Sequence, residues 1–230
     1  MAPYAAYLFD LDGTLVDSAP DIARALNRLL VELDLAAVPE TLARGWIGDG
    51  SRVLITRALA HQGREPGKDL DRLFDRFIEH YEASTGGPET LYPGALRTLA
   101  ALAERGVPLA CVTNKPAHLT DLVLAKTGTA DYFGAVLGAG TIPQRKPEPE
   151  PLLHVCERLG VAPGRALMIG DSAVDLEAAR RAGCPFCLVS FGYWRHADGP
   201  VPEGQWTIDQ LDALLAERTA APPDAPASSA

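Results

Sequence analysis

The alternation of apolar and polar positions divides the chain into one strand, a run of helices, and then a regular succession of strands and helices. Tyr7, Leu8 and Phe9 form a short apolar run suited to a strand buried on both faces, and the run stops on Asp10. From Ser18 the period becomes helical, with Ile22, Leu26, Leu29, Leu30 and Leu33 on one face. Ser18 and Asp21 have the spacing of a capping box, and Pro20 occupies the permissive first turn. A short helix over 39–44, the loop GWIGDGS and a helix over 51–61 come next. The segment 68–84 then places Leu70, Leu73, Phe74, Phe77, Ile78 and Tyr81 on one helical face.

Gly86, Gly87 and Pro88 interrupt this block. Beyond them the pattern predicts a helix over 95–104, a strand over 107–114, a helix over 117–127 and a strand over 135–139. A helix over 149–159, a strand over 166–170, a helix over 173–182 and a strand over 186–191 complete it. Strands alternating with helices predict parallel βαβ units. The first strand belongs with them, so the expected fold class is α/β: a Rossmann-like parallel sheet core, residues 1–17 and 88–218, with an all-helical cap domain, residues 18–87, inserted after the first strand. Residues 219–230, rich in Ala, Pro and Ser, read as a disordered tail.

The net charge of −9 argues against general nucleic-acid binding, so an anionic substrate would need a local positive centre. No apolar stretch reaches the roughly 18 residues of a membrane span. The N-terminus lacks the cationic flank of a signal peptide, which points to a cytoplasmic protein. Cys184 and Cys187 have C-x-x-C spacing, but in CPFCLVSF they straddle a turn and a strand and read as apolar filler, like Cys111 and Cys156. His61, His80, His118, His154 and His196 form no metal-ligand spacing. Gly138-Ala139-Gly140 opens no helix and is no dinucleotide fingerprint.

The candidate chemistry lies at the strand ends, where ligands bind in open α/β sheets. In FDLDGT, Asp10 and Asp12 are separated by one residue beside a flexible Gly13, so both can face one pocket. Burial and mutual repulsion would push their pKa values apart. Asp10 as carboxylate would attack phosphorus, and Asp12, with its pKa raised, would pass the proton to the leaving oxygen. Thr113, Asn114 and Lys115 end the next strand, and their hydroxyl and amide can hold phosphate oxygens. Lys146 follows the third strand and can offset charge on the phosphate and on Asp10. Asp171 ends the fourth, where with Asp10 it makes a hard oxygen site for Mg²⁺. Each also has an ordinary reading, as a turn aspartate, strand-end threonine, surface lysine or helix cap; their ordered arrival at successive strand ends favours the functional one.

Over residues 4–215 the chain resembles the haloacid dehalogenase superfamily, in its phosphoglycolate phosphatase-like branch, through FDLDGTLVDS, TNKP (113–116), RKPEPEP (145–151) and IGDSAVDLEAARRAG (169–183). The resemblance implies Asp10 as nucleophile and Asp12 as acid/base. It implies Mg²⁺ on Asp10, the Asp12 main-chain carbonyl and Asp171; phosphoryl binding by Thr113, Asn114 and Lys146; and Asp175 in support. Ala173-Val174 departs from the polar residues many relatives carry there, and the second aspartate, Asp12, argues against dehalogenation. The implied enzyme is a Mg²⁺-dependent phosphomonoesterase for a small phosphorylated metabolite, 2-phosphoglycolate first, acting as monomer or homodimer with no nucleic-acid or membrane partner. Alternatives are a phosphatase for a sugar phosphate, amino-sugar phosphate or pyrophosphate, and a phosphomutase of the β-phosphoglucomutase type. In the cap, the polar turn Gly48-Asp49-Gly50-Ser51 opens a helix, and Arg52 behind it is a candidate partner for a substrate carboxylate. An exposed helix-surface charge is the equal alternative for Arg52.

Overall fold

The computed structural model describes residues 4–65, 67–87, 90–194 and 199–216; the expected tail, His196 and the start of the core's second segment at residue 88 lie outside them. Six strands form one sheet: β1 (Ala6–Phe9), β2 (Leu109–Pro116), β3 (Ala135–Ala139), β4 (Ala166–Gly170), β5 (Phe186–Val189) and β6 (Thr207–Ile208). All pair in parallel, in the order β3-β2-β1-β4-β5-β6. β6 went unread in the sequence because two residues carry no period. β2 runs further than its apolar core: Pro116 pairs with Ala139 past a register shift, which keeps the polar TNKP residues extended at the strand end.

Between β1 and β2 lie α1 (Ala19–Glu32), α2 (Glu40–Arg44), α3 (Ser51–His61), α4 (Leu70–Glu82) and α5 (Ala95–Glu104). Then α6 (Ala117–Thr127), α7 (Glu150–Leu159) and α8 (Ala173–Ala182) alternate with the strands. Side chains along a strand point alternately to its two faces, and the core follows that rule. Tyr7, Phe9, Leu109, Cys111, Leu167 and Ile169 pack on one side with α5 and α6, while Leu8, Ala110, Val112 and Met168 pack on the other against α7 and α8. The second side is rich in alanine, including Ala6, Ala166, Ala178 and Ala179, which lets its helices lie close. Cys184 and Cys187 fall on opposite sides of the sheet, and all four cysteines are buried thiols outside any disulfide. The stripes of α1, α3 and α4 join the first cluster, so Leu26, Leu29, Ile55, Leu59 and Phe77 are continuous with the sheet's apolar face.

The Ser18–Asp21 capping box does not form. Ser18 has helical backbone angles (φ −87°, ψ −5°) instead of the extended cap geometry, and its hydroxyl makes no cap hydrogen bond. Asp21 is used otherwise: its Oδ2 accepts the Gly86 N–H at 2.5 Å and its Oδ1 pairs with Arg24 at 2.7 Å. The Asp17 N–H also donates to the Thr90 carbonyl at 2.8 Å. The chain therefore leaves for and returns from its helical segment through two adjacent, hydrogen-bonded crossings.

Candidate active site

In the observed strand order the chain moves from β1 outward through β2 and β3, then restarts on β1's other side with β4. The crevice at such a switch point is where open α/β sheets bind ligands, and here β1 ends in Asp10 and β4 in Asp171. The Asp10 N–H still donates to Ile169 at 2.9 Å, which keeps the two strand ends together. Asp10 Oδ1 accepts the Leu11 N–H at 2.7 Å and lies 3.0 Å from Lys146 Nζ, whereas Oδ2 carries no hydrogen bond among the described residues. Asp171 Oδ2 accepts the Tyr193 N–H at 2.6 Å, and Oδ1 accepts the Thr14 hydroxyl at 3.2 Å. Gly13, at φ +84°, is required on both counts: the angle suits glycine, and a β-carbon there would overlap the Asp171 carboxylate.

Behind this pair sits a buried cation. Lys146 Nζ donates to the Val112 carbonyl (2.8 Å) and Asp175 Oδ1 (2.6 Å), with Asp10 as its third acceptor. Lys146 thus holds its charge against Asp10 and Asp175. Asp175 is held in turn by a capping box at the start of α8, its Oδ2 accepting the Ser172 hydroxyl at 2.6 Å and the N–H groups of Asp171 and Ser172 at 3.2 Å. Burial alone would lower the Lys146 pKa, but Asp10 and Asp175 reverse this and hold it well above its ordinary value.

Asp12 turns away from this cluster. Lys115 Nζ pairs with it at 2.8 and 3.2 Å from its two oxygens, under the face of Tyr81 at 4.4 Å from the ring centre. The fold pushes the Asp10 carboxyl upward. Burial, then the Asp175 charge, take Asp10 to about 7 against the lowering effect of Lys146. Burial and the neighbouring Asp175 and Asp10 likewise hold Asp171 well above the usual carboxylate range. Thr113 is buried, and its oxygen accepts the Lys115 N–H at 3.2 Å, leaving the hydroxyl proton available. Asn114 Nδ2 is occupied by the carbonyls of Lys146 (2.9 Å) and Gly48 (3.3 Å), so the amide joins the motif loop to the helical segment.

A pocket opens above Asp10, Asp12, Thr113 and Lys115. Its other wall consists of Ile22, Ile47, Leu54, Phe77, Tyr81 and the Gly48–Ser51 turn. Arg52 does not reach it. Arg52 lies on the outer side of α3, paired with Asp71 at 2.6 Å and over the Phe74 ring at 4.1 Å, because the helical period turns residue 52 away when Ser51 faces inward. Of the two readings of Arg52, this structure shows the helix-surface ion pair. Sequence reasoning passed over Thr14 and Tyr193, which hold Asp171. Thr14 could have been noticed within DGT, but Tyr193 reaches Asp171 only through a folded loop.

The carboxylate oxygens of Asp10, Asp171 and Asp175 come within 4.8 Å of one another in buried surroundings. Three carboxylates facing one ammonium leave two negative charges to be balanced, and hard oxygen donors of this kind suit a divalent cation such as Mg²⁺. Asp175 Oδ2 takes three donors and its Oδ1 takes Lys146, whereas Asp171 accepts one donor on each oxygen and Asp10 Oδ2 accepts none among the described residues, so Asp10 and Asp171 keep the lone pairs to ligate.

A Rossmann-like sheet with an aspartate pair at its first strand end and a lysine–aspartate pair behind it defines a hydrolase site of one class. The profile for haloacid dehalogenase-like hydrolases matches residues 4–183, and the chain belongs to that family. It is 43% identical over 220 residues to the plasmid phosphoglycolate phosphatase of Cupriavidus necator, covering 95% of each chain. It is 39% identical over 214 residues to a phosphoglycolate phosphatase of Haemophilus influenzae, covering 90% of this chain and 95% of the relative. Among solved structures, that of a predicted phosphoglycolate phosphatase from Haemophilus somnus 129pt superposes with a TM-score of 0.82 at 33% identity, over 94% of this chain and 98% of the other.

Proposed function

We propose that this chain is a phosphoric monoester hydrolase for a small phosphorylated metabolite, 2-phosphoglycolate first, working through an aspartyl-phosphate. One observation carries the reading: Asp10 presents an oxygen free of hydrogen bonds to a pocket while its other oxygen is fixed by Leu11 and Lys146. In the first step the Asp10 carboxylate forms a bond to phosphorus as the ester P–O bond breaks, and Asp12 supplies a proton to the departing oxygen. In the second, water attacks the phosphorus of the acyl phosphate, Asp12 takes up its proton, and phosphate and Asp10 are released. Thr113 offers its hydroxyl proton to the phosphoryl oxygens, and Lys146 tempers the charge on Asp10 from behind. Mg²⁺ held by Asp10, Asp171 and the Asp12 carbonyl would supply the positive charge that lets an anionic nucleophile meet an anionic phosphate. The similarity to phosphoglycolate phosphatases over nearly the whole chain supports 2-phosphoglycolate as substrate.

The test is phosphate release from a panel of small monoesters. Release should require Mg²⁺, stop with chelator, and vanish in Asp10→Asn with the fold intact. Acid quenching during turnover should trap phosphorus on Asp10. Label on another residue, or full activity in excess chelator, would overturn the scheme.

A further inference from the structure

Arg52 turns outward, and Lys146 does not line the pocket. Among the described residues that line it, Lys115 is the one cation. Its ammonium is almost wholly enclosed, beneath Tyr81 and beside an apolar collar of Ile22, Leu54 and Phe77. A charge in such surroundings is strongly felt by whatever anion shares them. Burial alone would lower its pKa, but Asp12 and Tyr81 more than offset this and keep Lys115 charged.

We propose that Lys115 is the specificity residue of the site: it receives the carboxylate of the substrate, and Asp12 is the resident counter-ion which that carboxylate displaces. The inference rests on the reading of Asp12 as the group that meets the ester oxygen. In 2-phosphoglycolate the carboxyl carbon is two bonds from that oxygen, and Lys115 Nζ stands 2.8 Å from Asp12, so the cation lies where the tail of the substrate must go. The exchange puts one carboxylate in place of another on the same ammonium, so Lys115 keeps an anionic partner throughout. It also frees Asp12 to turn to the ester oxygen. An ester without an anionic tail leaves the Asp12–Lys115 pair closed and meets only the apolar collar. The site thus selects small phosphate monoesters bearing a carboxylate next to the ester carbon over neutral sugar phosphates.

The experiment compares 2-phosphoglycolate with ethyl phosphate, the same skeleton with a methyl in place of the carboxylate, in wild type, Lys115→Met and Lys115→Gln. Wild type should prefer 2-phosphoglycolate in kcat/KM, and both variants should reduce that preference by about 10- to 100-fold, as for loss of one charge-assisted contact. Lys115→Gln keeps a donor and serves if Lys115→Met does not fold. A wild type that hydrolyses both esters without preference overturns the inference, and so do variants that lose activity on both equally, which would make Lys115 only a support for Asp12. A wild type inactive on every monoester would instead refute the phosphatase reading.

Discussion

Replacing Asp10 with Asn should flatten the pH dependence of stability in the metal-free protein. Folding takes this carboxyl from 3.8 to about 7, first through burial and then through the charge of Asp175. A group whose folded pKa is raised binds its proton more tightly in the native state. Its contribution is therefore complete below the unfolded value and lost as pH rises through the folded one. At about 1.4 kcal/mol per unit the whole window is worth about 4 kcal/mol, of which about 2.5 kcal/mol falls between pH 5 and 8. Asn keeps the shape and the oxygen that accepts from Leu11 and Lys146, and Lys146 retains Asp175 and the Val112 carbonyl, so mainly the charge is removed. Urea unfolding in chelator at the two pH values reads the effect. Wild type should lose about 2.5 kcal/mol more than Asp10→Asn between pH 5 and 8, and Mg²⁺ should restore much of that loss in wild type alone. Equal slopes for the two proteins would refute the placement of an ionisable Asp10 in a buried, negatively charged cluster.

Asp171→Ala should abolish the rise in melting temperature caused by Mg²⁺ and lower kcat by about 100-fold or more; a preserved Mg²⁺ shift would remove Asp171 from the metal site. Ser172→Ala breaks the capping box that holds Asp175 and should cost about 1–2 kcal/mol in chemical denaturation. Arg52→Ala should leave kcat/KM for 2-phosphoglycolate within about twofold, as for an exposed ion pair; a selective tenfold loss would return Arg52 to the site. Gly13→Ala should prevent a competent site from forming, seen as lost activity and lost Mg²⁺ stabilisation, since the new methyl and Asp171 cannot share one space.

The order of elements and the identity of the chemical groups were legible in the sequence because both are local. A buried parallel strand writes itself as Tyr7-Leu8-Phe9, an amphipathic helix as the stripe Leu70 to Tyr81, and the strand ends announce Asp10, Thr113, Lys146 and Asp171. What each polar group spends its hydrogen bonds on was not legible, because the partners arrive from distant segments. Lys146 is 29 residues from Asp175 and 34 from Val112, and Lys115 is 103 from Asp12. Asp21 has the spacing of a cap residue, yet folding offers it the N–H of Gly86, 65 residues on, at the crossing where the helical segment returns. Arg52 shows the same limit at shorter range. Adjacent residues in a helix point about 100° apart, so a cation beside the pocket-lining turn faced outward once packing had turned Ser51 in. Residue type and period set the elements and the reacting groups, whereas tertiary structure decided which charges meet, which are spent, and that Lys115 is the cation left at the pocket wall.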